Sequence, residues 1–596
     1  MKKNHENELL KCKGSFKLAF KDLKYCIKSQ IPFIKNETKT ILNSISGEFH
    51  GNELTAIIGL SGSGKSSLLD CLSGFRQNNV TGTITYNDNI ISTRSIKQVS
   101  SYFMQEQMLH LYLTVNELMN FAINIKCRQK LNKEEKKTKI EEILQKLKIT
   151  DRRDTFIRDL SGGERKRFQI AIELVDDPQI LFLDEPTTNL DIVASTQCIQ
   201  FLKDITKEGR TIIFTIHQPC ASMLHLFDHI YALNNGNCIY QGSSENLIPF
   251  FEEIGLPCPS TYNPTDFLME IANNDYGDHS HLLIEKIQNG SNLNYRKDSE
   301  QNFTADIFKR SSDFKEFSSS YFQQVYYLMY RLLLTTMRNR SLLTMRLIVH
   351  IFFSLILGIV YQNVGNNASM IRDDYYFLMI LVTVVLYTSY HSHYVTFPLE
   401  FPIVKREHFN GWYSSNAYYS SLMIFDAPIV FTCVTICITI AYLMTGQLLE
   451  IHRYLILLGL CLLTSYVAQA LAVLLTSVLK VEFSLVFGTY LLMPFFLLSN
   501  FSIFSRDAHP ILKNLFDMNF FNMAFKGSVN SVLGLNRTKL PCDDFYCHFA
   551  DPKRFLHHYE CDVDFMPIVY LLLVYYIICQ TGAFILIRYR LKYKQS

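Results

Sequence analysis

The run Gly59-Leu-Ser61-Gly62-Ser63-Gly64-Lys65-Ser66-Ser67 combines small residues with hydroxyls and one cation, directly after an apolar stretch. Such a loop curls so that backbone N–H groups face phosphate oxygens, Lys65 reaches the β- and γ-phosphates, and Ser66 ligates Mg²⁺. A second cluster, Ile180-Leu-Phe-Leu-Asp184-Glu185, ends an apolar stretch on two acids. There Asp184 suits the Mg²⁺ shell, and Glu185 suits a general base that polarises water once cations have neutralised the phosphate. A third, Leu160-Ser161-Gly162-Gly163-Glu164, places a hydroxyl and two glycines before a helix, which makes another anion-binding N-terminus. One nucleotide has no use for two cradles from one chain. The Ser161 cradle is therefore expected to close on nucleotide held by a second subunit.

These residues need a scaffold, and short apolar runs supply it. Segments 53–59, 178–184 and 210–216 read as buried strands of a largely parallel sheet, with helical segments between them. Residues 133–148 form an amphipathic helix with Ile140, Ile143, Leu144 and Leu147 on one face. Past about residue 340 the chain changes character, and six charge-poor stretches follow at 347–364, 376–397, 422–444, 454–478, 483–504 and 565–587. Each is long enough to cross a hydrocarbon core. Arg338, Arg340, Lys405, Arg406, Lys480 and the tail from Arg588 to Lys594 fall on one side of them, which places both ends of the chain in the cytosol. The expected fold is an α/β P-loop nucleotide-binding domain (1–275), a linker and amphipathic connecting helix (276–340), and an all-α transmembrane domain of six helices (341–596) with an outer loop at 505–564. The 58 Lys and Arg nearly balance 55 Asp and Glu, so bulk charge gives no reason to expect a nucleic-acid partner. The opening Met-Lys-Lys-Asn-His-Glu has no apolar core of a secretory signal, so the first domain is expected to stay cytosolic.

Leu160-Ser161-Gly162-Gly163-Glu164, lying between the P-loop and Asp184-Glu185, resembles the signature motif of ABC transporters. That resemblance implies further roles. Gln105 in Tyr-Phe-Met-Gln-Glu looks like the Q-loop, near the metal and coupled to the membrane domain. Asp191 looks like the D-loop, and His217 like the switch histidine that contacts the γ-phosphate. Tyr25 is a candidate for the ring that stacks on adenine. ATPase first and membrane domain second resembles the G subfamily of White-type half-transporters. Thr396-Phe-Pro-Leu-Glu400, Arg406-Glu-His408 and Tyr466-Val-Ala-Gln469 lie closest to its sterol- and lipid-exporting branch.

The resemblance implies ATP-driven export of sterol or another lipid by a dimer of two halves, at the plasma membrane or an intracellular one. Two alternatives are a heterodimer moving pigment precursors or small hydrophobic toxins, and an ATP-gated regulator or channel subunit that does not pump. It also implies a substrate slot lined by Tyr387, Thr489, Met493 and Phe496, with Phe501 near an upper gate; Asn500 stands there where relatives often have Gly. Asn367 and Asn536 lie in glycosylation motifs on the expected outer side, and Asn302 in one on the cytosolic side. Cys542, Cys547 and Cys561 in the outer loop leave one thiol over after a pair forms, open to an interchain bridge of the kind some relatives have, or to remaining a buried or free thiol.

Overall fold

The computed structural model describes residues 17–28, 38–90, 93–105, 108–127, 131–297, 317–479, 481–543 and 545–592, without the side chains of residues 93, 94, 481, 482, 485 and 489. The rest of the expected linker, with Asn302, lies outside these residues, as do Lys480 and Lys594. The chain divides into two compact units, Met1–Tyr327 with Lys405–Ser414, and Leu328–Val404 with Ser415–Lys594.

In the first unit an antiparallel sheet comprises β1 (Lys17–Lys28), β2 (Thr38–His50), β4 (Val80–Tyr86) and β5 (Asn89–Ile90), in the order β2-β1-β4-β5. A six-stranded sheet comprises β3 (Leu54–Gly59), β6 (Ser100–Phe103), β7 (Ile180–Leu183), β8 (Thr211–Thr215), β9 (His229–Asn234) and β10 (Asn237–Gly242). Its order is β10-β9-β3-β8-β7-β6, parallel from β9 to β6, with the β9–β10 pair antiparallel. Every residue of β3, β7 and β8 is buried, as their largely apolar runs require. Each buried Ile or Leu there contributes about 2 kcal/mol. Helices α1 (Lys65–Leu72), α2 (Val115–Lys126), α3 (Lys133–Lys146), α4 (Gly162–Leu174) and α5 (Ile192–Thr206) connect the strands. The amphipathic α3 buries Ile140 and Leu144.

The polar stretch after residue 275, expected as a linker, is folded as far as it is described. Helix α6 (Ser280–Ile287) buries Leu283 and Ile287. Asn289 then donates from Nδ2 to the Asn43 carbonyl (2.8 Å) and accepts at Oδ1 from Cys238 N–H (2.8 Å). Gly290, at φ +89°, runs so close to β2 that a Cβ would meet the Ser46 carbonyl at 2.1 Å. Tyr295 packs on Phe250 and Arg296 pairs with Glu53. The compact unit thus runs past the expected boundary, because a few apolar side chains and satisfied amides bury a stretch of polar composition.

Helix α7 (Tyr321–Arg338) leads out of the first unit. The second unit contains α8 (Arg340–Val360), most of α9 (Ile371–Phe409), α10 (Ser415–Met444), α11 (Ile451–Val478), α12 (Val481–Tyr490), α13 (Met493–Leu497), α14 (Phe520–Leu533) and α15 (Phe565–Lys592). Among the described residues four helices, α8, α10, α11 and α15, are long and apolar enough to cross a membrane. The second expected span lies inside α9, where Thr388, Ser389, His391, Ser392 and His393 dilute the apolar run. The fifth is a correction: it is not one helix but α12 and α13, separated at 491–492. Pro494 lies in the first turn of α13; having no N–H, it cannot continue the ladder from α12.

In the segment between α14 and α15, expected as part of an outer loop, Cys542 and Cys547 form a disulfide. Cys561 is fully buried and its Sγ donates to the Tyr559 carbonyl at 3.3 Å, so the third thiol is a packing residue and not an exposed end for an interchain bridge. Burial pushes its pKa up to about 12.

Candidate functional site

The P-loop joins β3 to α1 in a conformation only glycine adopts easily. Gly59 has φ +154°, and a Cβ there would meet the Leu233 carbonyl at 2.3 Å; Gly64, at φ +105°, precedes the first residue of α1. Ser63 Oγ is buried inside the loop with no hydrogen-bond partner among the described residues, while Ser61 and Gly62 are exposed. Lys65 is folded onto its own loop, Nζ donating to the carbonyls of Gly59 (2.9 Å) and Leu60 (3.0 Å).

The acids at the end of β7 come to the same place. Ser66 Oγ donates to Asp184 Oδ1 at 2.9 Å, and Thr215 Oγ1 donates to the same oxygen at 2.7 Å. Thr215 also accepts from the Glu185 N–H at 2.8 Å, so one hydroxyl on β8 sets both acids. Glu185 has backbone φ 47° and is 6 % exposed. Its carboxylate lies 2.8 Å from His217 Nε2 and accepts from Gln105 Nε2 (2.7 Å) and Thr188 Oγ1 (2.8 Å). His217 Nδ1 is 3.4 Å from Lys65 Nζ. An ammonium can only donate, so Nδ1 accepts and Nε2 carries the proton given to Glu185. Burial pushes the Lys65 pKa down, against the pull of Glu185 and Asp184; burial raises Asp184, against the hydroxyls of Thr215 and Ser66.

The structure therefore gathers Lys65, Ser66, Gln105, Asp184, Glu185 and His217 into one cluster from separated segments of the chain. Sequence reading missed Thr215 and Thr188. The available signal for Thr215 was its place two residues before His217, at the end of a strand adjoining β7.

Two oxygens of Ser66 and Asp184, hard donors 2.9 Å apart beside the P-loop, fit a Mg²⁺ ion. The orphaned Ser63 hydroxyl and the glycine-shaped cradle fit a polyphosphate.

The signature residues do not reach this cluster. Ser161 caps α4, its Oγ accepting from Glu164 N–H (3.2 Å) while Glu164 Oε2 accepts from Ser161 N–H (2.9 Å), an arrangement worth about 1 kcal/mol. Ser161 is exposed. A Cβ on Gly163 would lie 3.2 Å from Ala194 on α5, so glycine lets the two helix starts approach. Asp191 caps α5 through Ala194 N–H (3.2 Å), and the next residues, Ile192 and Val193, are 65 % and 64 % exposed.

Tyr25 does not serve as an adenine platform. It is 3 % exposed, and its hydroxyl accepts from Arg76 Nη1 at 2.7 Å inside the first unit.

In the second unit Tyr387 stacks on His391 (5.4 Å between centroids) and lies 5.9 Å from Phe496, which packs on Phe521 at 4.6 Å. Met493 and Phe501 are about half exposed, Phe501 edge-on to Tyr376 at 5.8 Å. The Thr489 side chain is outside the described residues. Asn500 is buried, donating from Nδ2 to the Tyr559 carbonyl (3.1 Å) and from its N–H to Asn522 (2.8 Å).

Residues 42–188 match the family model for the ABC transporter, and residues 323–533 that for the ABC-2 type transporter. Over 501 residues the chain is 29 % identical to the broad substrate specificity ATP-binding cassette transporter ABCG2 of Bos taurus, covering 76 % of this chain and 75 % of the relative. It is 36 % identical over 268 residues to ABC transporter G family member 17 of Arabidopsis thaliana, covering 43 % and 40 %. Member 1 from the same plant is 38 % identical over 241 residues, covering 39 % and 33 %. With its ATPase unit first and its apolar helices after, the chain belongs to the ABC transporters, as a G-subfamily half-transporter: a multi-pass membrane protein that hydrolyses ATP to drive transport.

Proposed function

We propose that this chain is one half of a dimeric exporter of sterol or another lipid, with two ATP molecules held between two cytosolic ATPase units. The observation that carries the dimer is the separation within one chain. The cluster around Lys65 and Glu185 is complete on the phosphate side, whereas Ser161 and Gly162 are exposed and Gly163 half-buried, beside the exposed Ile192 and Val193. A second half-transporter supplies the missing face.

In the resting arrangement His217, Gln105 and Thr188 hold Glu185. A γ-phosphate gives Lys65 a stronger partner than the loop carbonyls it now binds. His217, relieved of Lys65, can donate to the phosphate, and Glu185 is then left to orient water. Mg²⁺ held by Ser66, Asp184 and Gln105 would neutralise the phosphate oxygens. Asp191 at the start of α5 lies where the partner unit would approach.

For the cargo, the aromatic set Tyr387, Phe496 and Phe501 with Met493 supports an apolar, flat molecule. The motifs around Thr396–Glu400 support the sterol and lipid branch. A second reading, small hydrophobic xenobiotics, is favoured by the broad substrate specificity named for the Bos taurus and Sus scrofa relatives. ATP hydrolysis in vesicles, measured with added sterol against an added hydrophobic dye, separates the two.

The dimer is tested by lesions in trans. In a covalently linked homodimer, Lys65→Met in one half and Ser161→Arg in the other fall in the same composite site and spare the second. Both lesions in one half damage both sites. The first arrangement is expected to trap nucleotide and the second to trap none; the reverse outcome, trapping only when both lesions share one half, would show each chain using its own signature loop.

A further inference from the structure

Strand β6 is the last strand of the six-stranded sheet. Backbone groups of successive residues in a strand point to opposite sides, so an edge strand leaves every second residue unpaired. On the inner side, the Phe103 carbonyl accepts from Asp184 N–H at 2.8 Å. On the outer side, Tyr102 has both its backbone groups satisfied by one side chain from far along the sequence. Tyr102 N–H donates to Asn410 Oδ1 at 3.0 Å, and Asn410 Nδ2 donates to the Tyr102 carbonyl at 3.0 Å. A single amide thus does what a neighbouring strand would do.

The bracket joins two parts of the nucleotide cluster. Tyr102 OH donates to Asp70 Oδ1 at 2.6 Å, and Asp70, near the end of the P-loop helix α1, pairs with Arg76 at 2.7 Å. Phe409 packs edge-on against Phe75 (5.1 Å) and Tyr102 (5.9 Å). After β6 comes Met104 and then Gln105, whose amide donates to Glu185. Two residues therefore separate the bracketed backbone of Tyr102 from the Nε2 donor on the base.

The segment carrying Asn410 has a second, independent anchor. Trp412 is fully buried, 6.1 Å from Phe121, with Lys126 Nζ 5.4 Å above its ring. Lys126 pairs at 2.7 Å with Glu173 on α4, the helix that starts at the signature loop. Arg406 donates to the Met108 carbonyl at 3.2 Å. Loss of the Asn410 amide therefore leaves residues 405–414 docked and frees only the edge of β6.

We propose that Asn410 is a positioning residue for ATP hydrolysis, its amide fixing the edge of β6 and through it the reach of Gln105 to Glu185. This rests on Glu185 being the base. The full-length chain in lipid nanodiscs, with hydrolysis measured across ATP concentrations, supplies the test. Asn410→Ala is expected to lower kcat about tenfold, as displacement of a contact to the catalytic group does, with KM for ATP unchanged within about twofold. Asn410→Asp keeps the volume and the acceptor but has no donor for the Tyr102 carbonyl. It is expected to lose rate in the same way, and it carries the test if Asn410→Ala does not fold. In a Gln105→Ala background either change is expected to cost nothing further, because the route is already cut. A wild-type kcat in both variants, or losses that multiply with Gln105→Ala, would overturn the inference. Persistence of hydrolysis in Glu185→Gln would instead overturn the assignment of the base, so the two failures read differently.

Discussion

Lys65, Asp184 and Glu185 in the ATPase unit and Asp426 in the membrane unit are all less than a tenth exposed, yet their surroundings differ. Around Asp184 and Glu185 the carboxylates face the Lys65 ammonium and His217, with the Lys166 ammonium acting on both from α4, so the partner groups come from separate segments around a phosphate cradle. Around Asp426 the charges are matched. Arg346 Nη1 lies 2.7 Å from one oxygen, and Gln469 Nε2 donates to the other at 2.6 Å, with His393 Nε2 at 3.5 Å. Those four side chains come from α8, α9, α10 and α11, so the carboxylate fastens helices together. A pocket suited to ATP holds its charges on loops and strand ends that a phosphate can re-pair, whereas apolar helices tolerate charge only when it is matched in place.

The contrast yields graded expectations. Glu185→Gln retains ATP binding and loses hydrolysis by about a hundredfold or more, since a positioned base contributes that much. Steady-state ATPase assays with a nucleotide-binding control check this, and wild-type turnover in the variant would remove Glu185 from the role. Asp426→Asn leaves Arg346 unbalanced and is expected to lower the stability of the membrane unit by about 2 kcal/mol, read as a drop in thermal unfolding temperature. Nucleotide binding by the same protein should stay close to wild type. If Asp426→Asn instead abolished hydrolysis with no loss of stability, the matched cluster would belong to the working machinery. The smallest effect is expected at Tyr387→Ala, which removes one ring from the proposed slot and, if sterol is the cargo, should lower its stimulation of hydrolysis about fivefold. Unchanged stimulation would place the cargo elsewhere.

Much of the nucleotide cluster was readable in the residues because its chemistry is local. A P-loop works through adjacent backbone groups, and Asp184-Glu185 follows directly on a strand, so type and order suffice. Thr215 was only faintly marked, by its place two residues before His217; that its hydroxyl sets both acids follows only once β8 is known to lie beside β7. Tyr25 failed for a related reason, since an aromatic near the start of a domain serves packing as readily as stacking, and here Arg76 claims its hydroxyl. Four of the expected spans were legible as apolar length, but the break near Pro494 was not. Pro398, Pro402 and Pro428 sit inside continuous helices, so proline alone does not mark where a helix stops. The folded stretch after residue 275 escaped because burial there depends on Leu283, Ile287 and Tyr295 spread among polar residues.

The amide bracket on Tyr102 also bears on solubility. Strand β6 carries two aromatic side chains in a row, Tyr102 and Phe103, and with Asn410 in place its outer edge offers no open backbone groups at Tyr102 to a foreign strand. An ATPase domain excised at the end of its contiguous sequence would lack residues 405–414. It would expose that edge together with the apolar surface around Phe75 and Phe121 that Phe409 and Trp412 cover. Such an edge is a template for pairing between copies, so the excised domain should be prone to self-association that the whole chain avoids.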